Sequence, residues 1–155
     1  MNNEMDDFSV KPGTPNMFGL IGAGANKIEA GKRMLSSMTP TIVSKDGKTI
    51  MALGSPGGST IITSVFQVIH HVLDYKMSAK DAVAAPRFHH QWLPDKLRIE
   101  ENHDLSEEAL QQLQDLGHEL NIRGKLGKIE LIYIDEEGSI IGAADIRADD
   151  DIAAF

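Results

Sequence analysis

The stretch Leu53-Gly54-Ser55-Pro56-Gly57-Gly58-Ser59-Thr60 constrains this chain more than any other segment. It closes an apolar run of strand character and opens a longer apolar run of helical character. Glycines at such a junction remove side chains where backbone amides approach a partner closely. A helix start also leaves N–H groups unpaired at the positive end of the helix dipole. Two readings stand on these residues alone. The segment is a plain strand-to-helix turn, or it receives an anion or the oxygen that turns negative during acyl transfer.

The elements on either side fit an α+β domain. The first forty residues hold Pro12, Gly13, Pro15, Gly19, Gly22, Gly24 and Gly31 and read as one long irregular segment, a length that usually accompanies binding or missing packing partners. Short strands are predicted at Thr41 to Ser44 and Thr49 to Leu53, around a turn at Asp46-Gly47. Ile61, Val65, Phe66, Ile69, Val72 and Leu73 then recur at helical spacing as far as Asp74. Ile62 and Val68 lie on the other face, which predicts a largely buried helix. Ser78 with Asp81 predicts a capped second helix that ends before Pro86. A strand follows at Leu97 to Glu100, then a helix capped by Ser106 and closed by Gly117. Glu119 to Ile122, Ile129 to Ile134 and Ile140 to Ala144 supply later strands, the last two joined by a turn at Glu137-Gly138. Strands at both ends with helices between them favour a layered arrangement.

Composition narrows the function classes. The 155 residues carry 15 basic and 23 acidic side chains, a formal charge of -8, which disfavours nonspecific nucleic-acid or anionic-membrane binding. There is no cysteine, so disulfides, thiolate zinc sites and a cysteine nucleophile are excluded. No apolar run approaches a membrane span. The glycines at 19, 22 and 24 do not form a dinucleotide fingerprint, and no phosphate-binding loop is present. The adjacent His70 and His71 point in different directions on a helix. His89 and His90 read as a structural polar cluster, and Asp149-Asp150-Asp151 as a solvated acidic tail.

Two further clusters keep alternative readings. Glu4, Asp6 and Asp7 are solvated or loop-capping carboxylates, or they receive a substrate ammonium. Ser36-Ser37 is turn chemistry, or a pair of hydroxyl donors for a carboxylate. Together with the glycine junction they describe a pocket for a small zwitterion.

Four blocks carry a family resemblance: Asn2-Asn3-Glu4-Met5-Asp6-Asp7-Phe8, Leu35-Ser36-Ser37-Met38-Thr39-Pro40, Gly54-Ser55-Pro56-Gly57-Gly58, and Ala85-Pro86-Arg87-Phe88-His89-His90-Gln91-Trp92-Leu93-Pro94. In this order they resemble the small subunit of the γ-glutamyltranspeptidases, or glutathione hydrolases. The resemblance implies a partial αββα sandwich of the N-terminal nucleophile hydrolases, formed by the C-terminal part of the small subunit. On that basis residues 1–155 form one partial small-subunit domain, with 1–40 as its irregular substrate-binding segment. A γ-glutamyl group would pass from glutathione or a related donor, through a threonyl acyl-enzyme, to water, an amino acid or a peptide.

By the same resemblance Asp7, assisted by Glu4, binds the donor α-ammonium. Ser36 and Ser37 bind its α-carboxylate, and Gly57 and Gly58 form the oxyanion hole. No metal or organic cofactor is implied. The partners implied are the family's large subunit and the nucleophile-bearing start of the small subunit. The isolated chain is expected to be inactive, structurally incomplete and prone to form homo-oligomers. A poly-γ-glutamate-processing enzyme and a noncatalytic interaction protein are the alternatives, and the parent protein is expected in the periplasm, at the cell surface or secreted. Met34 departs from the proline common in the family, and Ala144-Asp145-Ile146-Arg147 departs from Ser-Asp-Pro-Arg. Gly124 to Ile129 lacks the family's small, hydroxyl-bearing loop.

Overall fold

The computed structural model describes residues 5–36 and 38–153; the expectations placed on Glu4 and Ser37, and on the side chain of Asp6, lie outside it. Backbone contacts divide the chain into two units, Met1–Met38 and Thr39–Phe155, each taken separately below.

The first unit has little regular structure but many backbone bonds. Short 3-10 turns occur at Met5–Asp7 and Gly24–Asn26. Ser9 pairs in parallel with Lys27, and Pro15 antiparallel with Ile21. Asn16 ties the tip, its Oδ1 accepting from the amides of Phe18 at 2.9 Å and Leu20 at 3.0 Å. Phe8 is the buried apolar anchor. The long irregular segment is thus a loop folded back on itself, which satisfies backbone groups that no helix or sheet would pair.

In the second unit the first hairpin follows its turn chemistry. Asp46 (φ 52°) and Gly47 (φ 76°) both adopt left-handed conformations, the geometry a two-residue hairpin requires. They join β1 (Thr41–Lys45) to β2 (Lys48–Gly54). β6 (Glu130–Ile134) and β7 (Ile140–Ala143) complete an antiparallel sheet in the order β1-β2-β6-β7. A second sheet holds β3 (Phe88–His89), β4 (Leu97–Ile99) and β5 (Leu120–Ile122), with β4 and β5 parallel. Sequence periodicity does not reveal β3, because two residues carry no period.

The helices are α1 (Thr60–Leu73), α2 (Ala79–Ala84) and α3 (Glu107–Asp115). Ser78 and Ser106 cap α2 and α3 by accepting from the amides of Asp81 and Ala109. Gly117 (φ 95°) closes α3, with bonds from its own amide to the Gln114 carbonyl and from His118 N to the Leu113 carbonyl. That pair of bonds is a Schellman closure.

Met51, Leu53 and Leu131 on the sheet bury against Ile61, Val65, Val68 and Val72 of α1, with Ala79, Ala82 and Val83 of α2 extending the core. The expectation of a largely buried α1 is corrected: Val68 is buried, but Ile62 is 67% and Phe66 62% exposed. The sheet covers one side of α1 and leaves these two outside. The far face of the sheet is also open at Ile42 and Ile132, which share one cross-strand row through Ala52.

Candidate functional site

β2 delivers the chain to Gly54, and α1 begins at Thr60, so the glycine pair occupies the turn between sheet and helix. Gly57 (φ 141°) and Gly58 (φ 56°) take conformations that side-chain-bearing residues rarely adopt. Their carbonyls are occupied, accepting from the amides of Thr60 and Ile61 at 3.2 Å each. Their amides are not. Among the described residues neither Gly57 N nor Gly58 N donates to a protein acceptor. Two such donors at a helix start can stabilise a developing oxyanion.

The turn is held from below by the Gly124 to Ile129 loop. Ser55 Oγ accepts from Lys128 N at 2.8 Å. A Cβ on Gly57 would come within 3.3 Å of Gly127 Cα and 2.7 Å of Thr60 Oγ1. A Cβ on Gly127 (φ 64°) would meet Ser55 Oγ at 2.7 Å. The two glycines make this close approach possible.

That loop is in turn fixed by four buried charges. Arg87 donates to Asp145 at 2.8 Å and to the carbonyls of Val83 and Leu126. Arg147 binds both Glu100 and Asp145. Glu100 accepts from Leu126 N at 2.5 Å, and Asp145 from Ile129 N at 2.7 Å, so both ends of the loop's last turn are tied. Burial alone pushes the Glu100 carboxyl up, but bonds from Arg147, Leu126 N and Arg87 N outweigh it and hold the group below its ordinary range. Burial likewise opposes ionisation of Asp145; Ile129 N, Arg147 and Arg87 again carry the balance downward. Asp145 and Arg147 are the two residues that keep the pattern named above; of the two that depart from it, Ala144 and Ile146, Ile146 is 63% exposed.

Of the residues expected to hold substrate, Asp7 ends the first 3-10 turn, and its carbonyl accepts from Asn26 Nδ2 at 2.7 Å. Ser36 is exposed in the same unit. Gly57 and Gly58 belong to the second. The supporting residues Ser55, Gly127, Glu100, Arg87, Asp145 and Arg147 escape sequence reasoning as functional residues. For Glu100, Arg87, Asp145 and Arg147 the sequence signal is an ionisable residue set among apolar neighbours; Ser55 and Gly127 carry none. His89 joins a part-buried polar cluster with Thr63 and Gln91, whereas His90 is exposed and pairs with Asp95 at 2.9 Å. The acidic tail is more than a solvated run: Asp150 pairs with Lys128 at 2.8 Å, and Ile152 packs over Gly142. Among the described residues no group of three acidic or histidine side chains could hold a metal ion, and no helix is long and apolar enough to cross a membrane.

A family model described as Gamma-glutamyltranspeptidase matches residues 1–155. The glutathione hydrolase proenzyme of Escherichia coli strain K12 is 48% identical over 154 residues, which cover 99% of this chain and 26% of that protein. The Bacillus subtilis strain 168 glutathione hydrolase proenzyme is 39% identical, over 94% of this chain and 23% of its own length. The chain therefore spans about a quarter of these relatives. Among solved structures, a Helicobacter pylori γ-glutamyltranspeptidase mutant aligns with TM-score 0.86 at 49% identity, covering 96% of this chain and 81% of that one. The γ-glutamyltranspeptidase of Pseudomonas nitroreducens in complex with L-DON gives TM-score 0.88 at 43% identity, with coverages of 100% and 81%.

Proposed function

The chain belongs to the γ-glutamyltranspeptidase family, and from that premise we propose that the protein containing it moves a γ-glutamyl group from glutathione or a related donor to water, an amino acid or a peptide. The observation that carries this reading is the pair of uncommitted amides at Gly57 and Gly58. A threonine hydroxyl, from a segment outside these residues, adds to the γ-carbonyl carbon. The carbonyl π electrons move onto oxygen, and the two amides receive the resulting charge. One such donor contributes about 3 kcal/mol in other hydrolases. Collapse of the adduct expels the amine leaving group, which takes up the proton given up by the threonine hydroxyl, and leaves a threonyl ester. Water or the acceptor amine then repeats the addition on that ester.

Asp7 with Glu4 holds the donor α-ammonium, and Ser36 with Ser37 its α-carboxylate. A carboxylate supplies charge and acceptors to the first group, and hydroxyls supply directional donors to the second. The family's large subunit is the partner that completes the carboxylate site with an arginine. The parent protein belongs to the periplasm, the cell surface or the secreted fraction.

The test compares glutathione with its des-amino and α-carboxamide analogues on the full-length processed protein. Each analogue is expected to lose most turnover. Full activity toward both would sink the zwitterion clamp. Running poly-γ-glutamate beside glutathione distinguishes the two donor classes. Binding of the large subunit without turnover of either donor would favour a noncatalytic role.

A further inference from the structure

Ser59 stands where α1 needs a cap and does not cap it. Its backbone is helical (φ -62°, ψ -21°), and its side chain makes no capping bond. Ser78 and Ser106, with extended backbones, do cap their helices. The Ser59 hydroxyl instead donates to Gln91 Oε1 at 2.6 Å, across 32 residues of chain.

The surrounding bonds orient the Gln91 amide and the His89 ring. Gln91 Nε2 donates to the Leu93 carbonyl at 2.9 Å, and a carbonyl only accepts, so the amide orientation is set. Gln91 Oε1 then faces both Ser59 and His89 Nε2, the latter at 2.8 Å. Because Oε1 bears no hydrogen, His89 carries its proton on Nε2. His89 Nδ1 lies 2.8 Å from the Thr63 hydroxyl, which also donates to the Thr60 carbonyl at 3.1 Å. Gln67, one turn further along α1, bonds both the amide and the carbonyl of Phe88. Ser59, Thr63 and Gln67 follow one another at the four-residue spacing that aligns side chains on a helix. Three polar side chains thus fasten one face of α1 to the segment from Phe88 to Gln91.

We propose that His89 and Gln91 are positioning residues for the Gly57 and Gly58 amides, acting through the Ser59 hydroxyl. The proposal rests on the oxyanion role of those amides. Two consecutive glycines have the widest conformational freedom of any dipeptide, so the direction of their N–H groups must be set from the flanks. Ser55 is fixed on one side by Lys128 N, and Ser59 on the other by Gln91. A local cap would satisfy the helix equally well. A bond to β3 and its following loop ties the turn to a second element, which is how an unreactive group holds a reacting geometry. His89, 6% exposed, keeps Gln91 in register by occupying the remaining lone pair of Oε1.

The test uses the full-length processed protein with Ser59→Ala, Gln91→Met and the hydroxyl-retaining Ser59→Thr. For the first two, kcat is expected to fall about 10-fold or more while donor KM stays within about twofold, because the loss falls on the transition state. Ser59→Thr is expected to recover most of kcat. Amide hydrogen exchange of residues 54–60 should accelerate in Ser59→Ala and Gln91→Met, and the His89 ring nitrogen shifts should change in Gln91→Met, which removes the acceptor facing Nε2. Wild-type kcat with wild-type exchange in both variants overturns the proposal. A uniform loss of thermal stability without selective exchange at 54–60 also overturns it. If the unmodified protein turns over no γ-glutamyl donor, the functional reading fails. The exchange and ring-nitrogen measurements then still decide whether the relay holds the loop.

Discussion

Arg87 and Asp145 lie 58 residues apart in the chain and meet at 2.8 Å with both side chains sealed from solvent. Their contact joins the residue after Pro86 to the second residue after β7, and so closes the second unit around the loop beneath Gly57. Breaking a buried pair from one side leaves the other charge uncompensated, at a cost of about 3–5 kcal/mol. Arg87→Met is therefore expected to lower the urea midpoint, with a loss of unfolding free energy in that range. An unchanged midpoint would show that Asp145 is adequately held by Arg147 and Ile129 N alone.

The same charges set an acid limit on stability. Glu100 and Asp145 are held below their ordinary ranges in the folded chain. A depressed carboxylate stabilises the fold fully above its unfolded value, about pH 4, and loses that contribution as pH falls through the folded value. Denaturant midpoints measured downward from neutrality are thus expected to hold until about pH 5 and then fall steeply. Asp145→Asn should start lower and fall less. A wild-type midpoint that stays level through the acid range would remove these carboxylates from the account.

The parts legible in the sequence are those governed by neighbours in the chain. Asp46-Gly47, Ser78, Ser106 and Gly117 each perform the local task their residue type specifies. The glycine pair was visible for the same reason. Arg87 with Asp145, and Ser59 with Gln91, are invisible because their partners are chosen by the fold, not by spacing. Ile62 and Phe66 show a different limit. An apolar residue off the main stripe announces that something covers it, but periodicity does not say whether this chain supplies the cover.

Close approach of Gly127 to the serines above it predicts a sharp asymmetry between glycines. Gly127 has φ 64°, and a Cβ there would meet Ser55 Oγ at 2.7 Å and Ser64 Oγ at 3.0 Å. Gly127→Ala is expected to lose about 1–3 kcal/mol from strain and crowding together. Gly24 has open space around its virtual Cβ and no positive φ, so Gly24→Ala serves as the control. Equal thermal midpoints for the two variants would contradict the proposed packing beneath the glycine turn.

The uncovered side of α1 makes a prediction about mass in solution. Ile62 and Phe66 are one turn apart and mostly exposed, and Ile42 and Ile132 open the far face of the sheet. Burying each such side chain is worth about 1.5–3 kcal/mol, enough for several together to drive association. The 155-residue chain alone is expected to self-associate, with light scattering giving a mass that rises with concentration. The double variant Ile62→Gln, Phe66→Gln should shift that mass toward the monomer without lowering the thermal midpoint, since neither side chain belongs to the core. A wild-type chain that stays monomeric at high concentration would show that these faces do not drive association. A double variant that associates as strongly as the wild type would move the contact from α1 to the sheet.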